Sequence, residues 1–122
     1  MPYRTPQSRT ILLVEDQANV RQELVRGLRD DGYRVIEASD GELALAVLAS
    51  GLPIDLVVTD VVMPNMGGLE LAAVLNGMRH PPMLLFMSAY AFDPSWLSGQ
   101  LLRKPFLPSE LVAEVRRLLA AA

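Results

Sequence analysis

The residues with chemistry to offer stand at the ends of apolar runs. Ile11-Leu12-Leu13-Val14 leads into Glu15-Asp16, and Ile54-Asp55-Leu56-Val57-Val58-Thr59 leads into Asp60. Met83-Leu84-Leu85-Phe86-Met87 ends at Ser88-Ala89, and Leu101-Leu102-Arg103 ends at Lys104-Pro105. Together these ends offer three carboxylates, one hydroxyl and one ammonium. Two carboxylates about 4 Å apart repel by roughly 4 kcal/mol at an effective dielectric near 20. Three on neighbouring ends would raise one another's pKa values or need a cation. Lys104 offers one charge, whereas a hard divalent ion offers two and accepts all-oxygen ligands. Mg²⁺ keeps several waters and takes one or two carboxylates together with a phosphate oxygen. The cluster therefore suggests Mg²⁺ (or Mn²⁺) beside a phosphoryl group. Taken alone, Asp16 has a lesser reading as a loop starter or a helix N-cap; the joint spacing of all five positions is what selects the cation site. Lys104 is also the only lysine among eleven basic residues. Had that position tolerated any cation, arginine would be expected there.

These ends need a scaffold that brings them together. Val20, Leu24, Val25 and Leu28 fall at helical spacing, with Arg21, Glu23, Arg26 and Arg29 opposite as ordinary exposed charges. Asp30-Asp31-Gly32 stops that helix. Residues 33–38 read as a second strand, 42–49 as a second helix, and 69–78 as a third helix after Gly67-Gly68. Leu111, Val112, Val115, Leu118 and Leu119 mark one face of a final helix that runs toward Ala120 to Ala122. Strands that are apolar throughout, alternating with amphipathic helices, imply a parallel sheet covered on both faces. Right-handed crossovers then make the fold a doubly wound α/β sandwich. The expected sheet has five strands in the flavodoxin-like order 2-1-3-4-5, with strands one and three as neighbours. Ligand sites in such folds lie at the carboxyl ends of the strands.

The chain has 122 residues, 51% of them hydrophobic and 20% charged. That is the composition of one packed domain. Residues 1–9 carry two prolines and read as a flexible arm or linker, leaving 10–122 as the domain. With no cysteine, disulfides, thiolate metal sites and cysteine nucleophiles are excluded. A net charge of −3 lacks the basic footprint of an autonomous nucleic-acid binder. The apolar run from Pro81 to Met87 stops far short of the roughly 20 residues of a membrane span. The first ten residues hold no apolar signal region. The expectation is a cytoplasmic domain with no nucleic-acid or membrane contact.

The ordered set Leu13-Val14-Glu15-Asp16, residues 59–68 (Thr-Asp-Val-Val-Met-Pro-Asn-Met-Gly-Gly), Ser88-Ala89 and Lys104-Pro105-Phe106 resembles the response-regulator receiver domain of two-component signalling. The resemblance runs from about Thr10 to the C-terminus. It implies that Asp60 is the phosphoacceptor, attacking the phosphohistidine of a histidine kinase or histidine phosphotransfer domain to become an acyl phosphate. It implies that Asp16 and Asp60 ligate Mg²⁺ directly, Glu15 through water, and Val62 through its backbone carbonyl. Ser88 would hydrogen-bond the incoming phosphoryl oxygens, Ala89 would leave room for the donor, and Lys104 would pair first with Asp60 and then with the phosphoryl group. The bond from Lys104 to Pro105 is expected to be cis, a geometry that is chiefly a proline phenomenon. Such a domain is a signalling phosphoacceptor rather than an enzyme on a separate substrate. It catalyses only its own phosphorylation and slow dephosphorylation.

Several positions depart from the family pattern. Glu15 stands where Asp is commoner, and its extra methylene suits a water-mediated contact. The segment between strands four and five is short, so helix four is expected to be truncated, displaced or missing. Pro94 could start a turn or two over Ser95-Trp96-Leu97, with Ser98-Gly99 breaking it. Trp96 either covers the gap or marks a partner surface. Leu101 occupies the usual aromatic switch position. Leu107 stands where a capping residue is common, a loss of about 1 kcal/mol, and is expected to pack on its own helix. Val62 and Tyr90 flank the site, neither readily orients an attacking water and both can shield the acyl phosphate, so it should last hours. The short pattern resembles receivers attached to hybrid histidine kinases, which makes the kinase core of the same chain a candidate partner. His80 reads as solvated and the six methionines as packing filler. An aspartyl-phosphate hydrolase would need an acid at Val62, and a flavin carrier would need a phosphate loop where Glu15-Asp16-Gln17 stands. The remaining alternative is a receiver-like interaction module that acts without phosphorylation.

Overall fold

Apolar residues at every position of a strand require cover on both faces, and the three central strands have it. In the computed structural model, which describes residues 9–120, β1 (Thr10–Val14) and β3 (Leu56–Asp60) are buried at all five positions. β4 (Met83–Ser88) is buried after its first residue. β2 (Arg34–Ala38) and β5 (Gln100–Arg103) are partly open because they form the two edges. All pairings are parallel, in the order β2-β1-β3-β4-β5, as expected from the sequence. The expected arm falls, apart from Arg9, on residues outside those described, as do Ala121 and Ala122.

Side chains alternate across each strand, so two cores form. Ile11, Leu13, Val58 and Leu85 meet Leu24, Leu28, Leu111 and Val115 from α1 (Ala18–Asp30) and α4 (Pro108–Ala120). Leu12, Val14, Val57 and Phe86 meet Ala44, Leu71 and Leu75 from α2 (Gly41–Ala49) and α3 (Gly68–Asn76). Two helices thus cover each face.

Between β4 and β5 the only helical structure among the described residues is a single 3-10 turn, Ser95–Leu97. Helix four is reduced to this turn. Leu97 is the residue that enters the core, while Trp96 stays 71% exposed. The expectation that Trp96 covers the gap is therefore corrected; in a three-residue turn only one side chain can face inward. Asn76 ties the turn to α3, donating from Nδ2 to the carbonyls of Leu97 (2.8 Å) and Ala72 (2.9 Å). Gly99 then passes so close to Phe86 that an added Cβ would lie 2.8 Å from its ring. Phe92 packs edge-on against the same ring, with centroids 5.6 Å apart.

Leu107 is 64% exposed and joins neither core. The missing side-chain cap is offset in part by Glu110, whose carboxylate accepts the Leu107 N–H at 2.9 Å. This is the backward half of a capping box.

Candidate functional site

Strand register decides which polar ends meet. Val14 is level with Thr59 on β3, so Glu15-Asp16 and Asp60 emerge side by side. On the other flank Asp60 is level with Met87, and Ser88 with Arg103. The Lys104 N–H extends that ladder, donating to the Ser88 carbonyl at 2.8 Å. The Lys104–Pro105 bond is cis, as expected.

One oxygen each from Glu15, Asp16 and Asp60 lie within 4.8 Å of one another. Glu15 is 1% and Asp60 3% exposed, while Asp16 faces solvent. The Lys104 ammonium sits 2.6 Å from Asp60 Oδ1 and 3.7 Å from Glu15 Oε1. The first is at charge-assisted hydrogen-bond distance and the second is a looser ionic contact; no backbone N–H donates to either oxygen. Burial pushes the Glu15 carboxyl above its ordinary range, and the neighbouring Asp60 adds to this; the Gln17 N–H, 3.1 Å from Oε2, partly opposes it. Asp16 is also raised, by desolvation first and by Glu15 second. For Lys104, burial would lower the ammonium, but its pairing with Asp60 and attraction to Glu15 outweigh that and leave it raised.

The charge balance remains negative, with one ammonium facing three carboxylates. Two buried carboxylate oxygens that share a single ammonium are costly to maintain. The donor set is entirely hard oxygen and lies close enough for shared ligation, so it fits Mg²⁺ or Mn²⁺.

The remaining expected residues border this cluster. Ser88 is buried, and its hydroxyl accepts the Tyr90 N–H at 3.0 Å. Ala89 is exposed, and its carbonyl accepts from the Arg103 guanidinium at 3.2 Å. The side chains of Val62 and Tyr90 are largely exposed. Gly68 passes directly under the Asp60 carbonyl, where an added Cβ would overlap the oxygen.

Arg21 was expected to be an ordinary exposed charge, and the structure corrects this. It is half-buried, donating from Nη1 to the Glu15 carbonyl at 2.7 Å and from Nε to Glu37 at 3.2 Å. It thus holds the main chain at the acidic end of β1. Helical spacing put Arg21 opposite the apolar face, but no periodicity reveals that the end of β1 lies within its reach. Asp40 and Asn65 were also missed. The Asp40-Gly41 pair before an apolar helical pattern is a readable N-cap signal, whereas its contact with Asn65 joins two loops 25 residues apart.

Comparison with known proteins agrees with this geometry. Residues 11–116 match the family model described as response regulator receiver domain. The chain is 36% identical to a probable transcriptional regulatory protein of Picosynechococcus sp., covering 89% of this chain and 48% of that protein. It is 39% identical to the sensor kinase CckA of Brucella abortus, over 92% of this chain and 13% of the kinase. The chain therefore spans about half the length of the first relative and a small part of the second. A solved receiver domain from the hybrid histidine kinase CckA superposes with a TM-score of 0.78 at 35% identity, covering 90% of this chain and 98% of that one. With this match over most of its length, and with acids and lysine gathered at the ends of a 2-1-3-4-5 sheet, the chain belongs to the response regulator receiver domain family.

Proposed function

We propose that this domain accepts a phosphoryl group on Asp60 from the phosphohistidine of a histidine kinase or a histidine phosphotransfer domain. The observation that carries the reading is Asp60 Oδ1 itself. It is buried, receives no backbone hydrogen bond, and lies 2.6 Å from the only lysine beside two further carboxylates. In the transfer an Asp60 oxygen forms a P–O bond as the P–N bond to the donor imidazole breaks, and the imidazole leaves with the bonding electron pair. Phosphoryl transfer depends mainly on positioning and charge neutralisation.

Asp16, Asp60 and the Val62 carbonyl would hold Mg²⁺ or Mn²⁺ directly, and Glu15 would do so through water. Bound there, the ion supplies neutralisation of charge on the phosphoryl oxygens. Lys104 leaves Asp60 Oδ1 free to react when its ammonium pairs with the phosphoryl group instead. Ser88 turns its hydroxyl from the Tyr90 N–H toward a phosphoryl oxygen, and Ala89 leaves space for the donor. Val62 and Tyr90 offer no carboxylate, amide or imidazole to orient an attacking water and flank the acyl phosphate as shields, so the phosphorylated state persists for hours. The domain comprises residues 10–122, works in the cytoplasm, and modifies only itself. Kinship with a hybrid kinase receiver makes a kinase core on the same polypeptide the favoured donor.

Incubation with acetyl phosphate and Mg²⁺, followed by intact mass measurement, tests the reading. One added phosphoryl group, absent in Asp60→Ala and without Mg²⁺, is expected. No mass gain in the wild-type protein would leave an interaction module that works without phosphorylation. Decay of the product within a minute of donor removal would contradict the shielding by Val62 and Tyr90.

A further inference from the structure

Asp40 is 8% exposed and spends its two carboxylate oxygens on two different elements. Oδ1 accepts the Leu43 N–H at 2.9 Å and caps α2. Oδ2 accepts from Asn65 Nδ2 at 2.7 Å. Asn65 lies in the loop of residues 61–67, which leaves Asp60 and carries Val62. Its φ of 66° is left-handed, a conformation that favours glycine and, next, asparagine. A second tie lies beside it, where the Gly41 N–H donates to the Met66 carbonyl at 3.1 Å. An added Cβ on Gly41 would lie 2.6 Å from that same oxygen. The foot of the loop is closed by the Gly68 N–H on the Val61 carbonyl at 2.8 Å. The span containing Val62 therefore runs between a closed foot and a clasp to the start of α2.

We propose that Asp40 and Asn65 are positioning residues for the cation site, their hydrogen bond holding the 61–67 loop so that Asp60 and the Val62 carbonyl keep a fixed spacing. This rests on the functional reading above, in which that loop supplies a ligand. Mg²⁺ demands near-ideal octahedral geometry, so a ligand carried on a loop serves only as well as the loop is held. Partners one shell out from a metal typically matter by 10–100-fold in affinity.

Asn65→Gly isolates the clasp, because glycine keeps the left-handed backbone without strain and Asp40 Oδ1 still caps α2. Mg²⁺ affinity by isothermal titration should fall about 10-fold. Amide exchange over residues 62–66 should accelerate in the cation-free protein, while α1 and α4 stay protected. Asn65→Asp leaves the Asp40 cap in place but turns a carboxylate toward the Asp40 carboxylate, so it should weaken Mg²⁺ similarly. The combined Asp40→Asn and Asn65→Asp exchange restores the bond with donor and acceptor reversed and should recover most of the affinity. A purely structural role for Asp40 as a cap would give no such recovery. Wild-type Mg²⁺ binding with unchanged affinity in Asn65→Gly would overturn this inference alone. Failure of the wild-type protein to bind Mg²⁺ would overturn the functional reading and this inference with it.

Discussion

Glu15 shows how a site can be built against its own stability. Its carboxyl is raised above the ordinary 4.5, by burial first and by Asp60 second. A carboxyl with a raised folded pKa binds its proton more tightly in the folded state. The folded state therefore loses stability as pH rises from 4.5 through the folded value, and the loss persists above it. Asp16 acts with the same sign. Lys104 is raised instead, so its stabilising contribution is complete below its ordinary 10.5 and disappears only as pH rises through its folded value. Without a divalent cation, Glu15→Gln should raise the thermal midpoint at pH 7 above wild type and flatten the decline between pH 4.5 and 7. It should also shrink the stabilisation that added Mg²⁺ produces. Thermal melts across pH, with and without Mg²⁺, would show this; a lower midpoint in the cation-free variant at pH 7 would contradict it. At this scale the acids and lysine were legible in the sequence, because each directly follows an apolar strand. Arg21 was not, since its partner is a backbone carbonyl that carries no residue signature.

Among the elements, the segment between β4 and β5 departs furthest from the family pattern. Its shortness was readable by counting residues, and Ser98-Gly99 marked its stop. Which side chain would fill the gap was not readable, because Trp96 and Leu97 are both apolar neighbours in one turn. Truncation of a buried leucine costs about 2–5 kcal/mol. Leu97→Ala should fall in that range by urea denaturation, whereas Trp96→Ala should change stability by no more than about 0.5 kcal/mol. Equal effects would mean that the turn packs with Trp96 inward. At the start of α4, Glu110 already accepts the Leu107 N–H. Leu107→Ser adds the forward half of the capping box, so a gain of about 1 kcal/mol is expected. Denaturant midpoints measured with Glu110→Ala alongside would show whether the two halves act together.

At the scale of the whole molecule, the three acids are assembled only when β1 and β3 pair, so a cation held by them would stabilise the fold. A ligand that binds only the folded state stabilises it by about 2.7 kcal/mol at 100 times its dissociation constant. For a domain of this size that corresponds to a rise of about 10 °C in thermal midpoint. Mg²⁺ should produce such a shift at pH 7, chelation should reverse it, and Asp60→Ala should reduce it; no shift at millimolar Mg²⁺ would argue against the site. Among the described residues no helix is long and apolar enough to cross a membrane, in keeping with the short apolar runs. The sequence by itself determined the alternation of strands and helices, the strand ends and the residue types gathered there. Strand periodicity and the position of a polar residue after an apolar run are local properties of the chain. Only the tertiary structure decided the 2.6 Å approach of Lys104 to Asp60, the clasp of Asp40 on Asn65 and the grip of Arg21 on the Glu15 carbonyl. Those contacts join segments far apart in the chain. They depend on strand register and loop course, which no local pattern encodes.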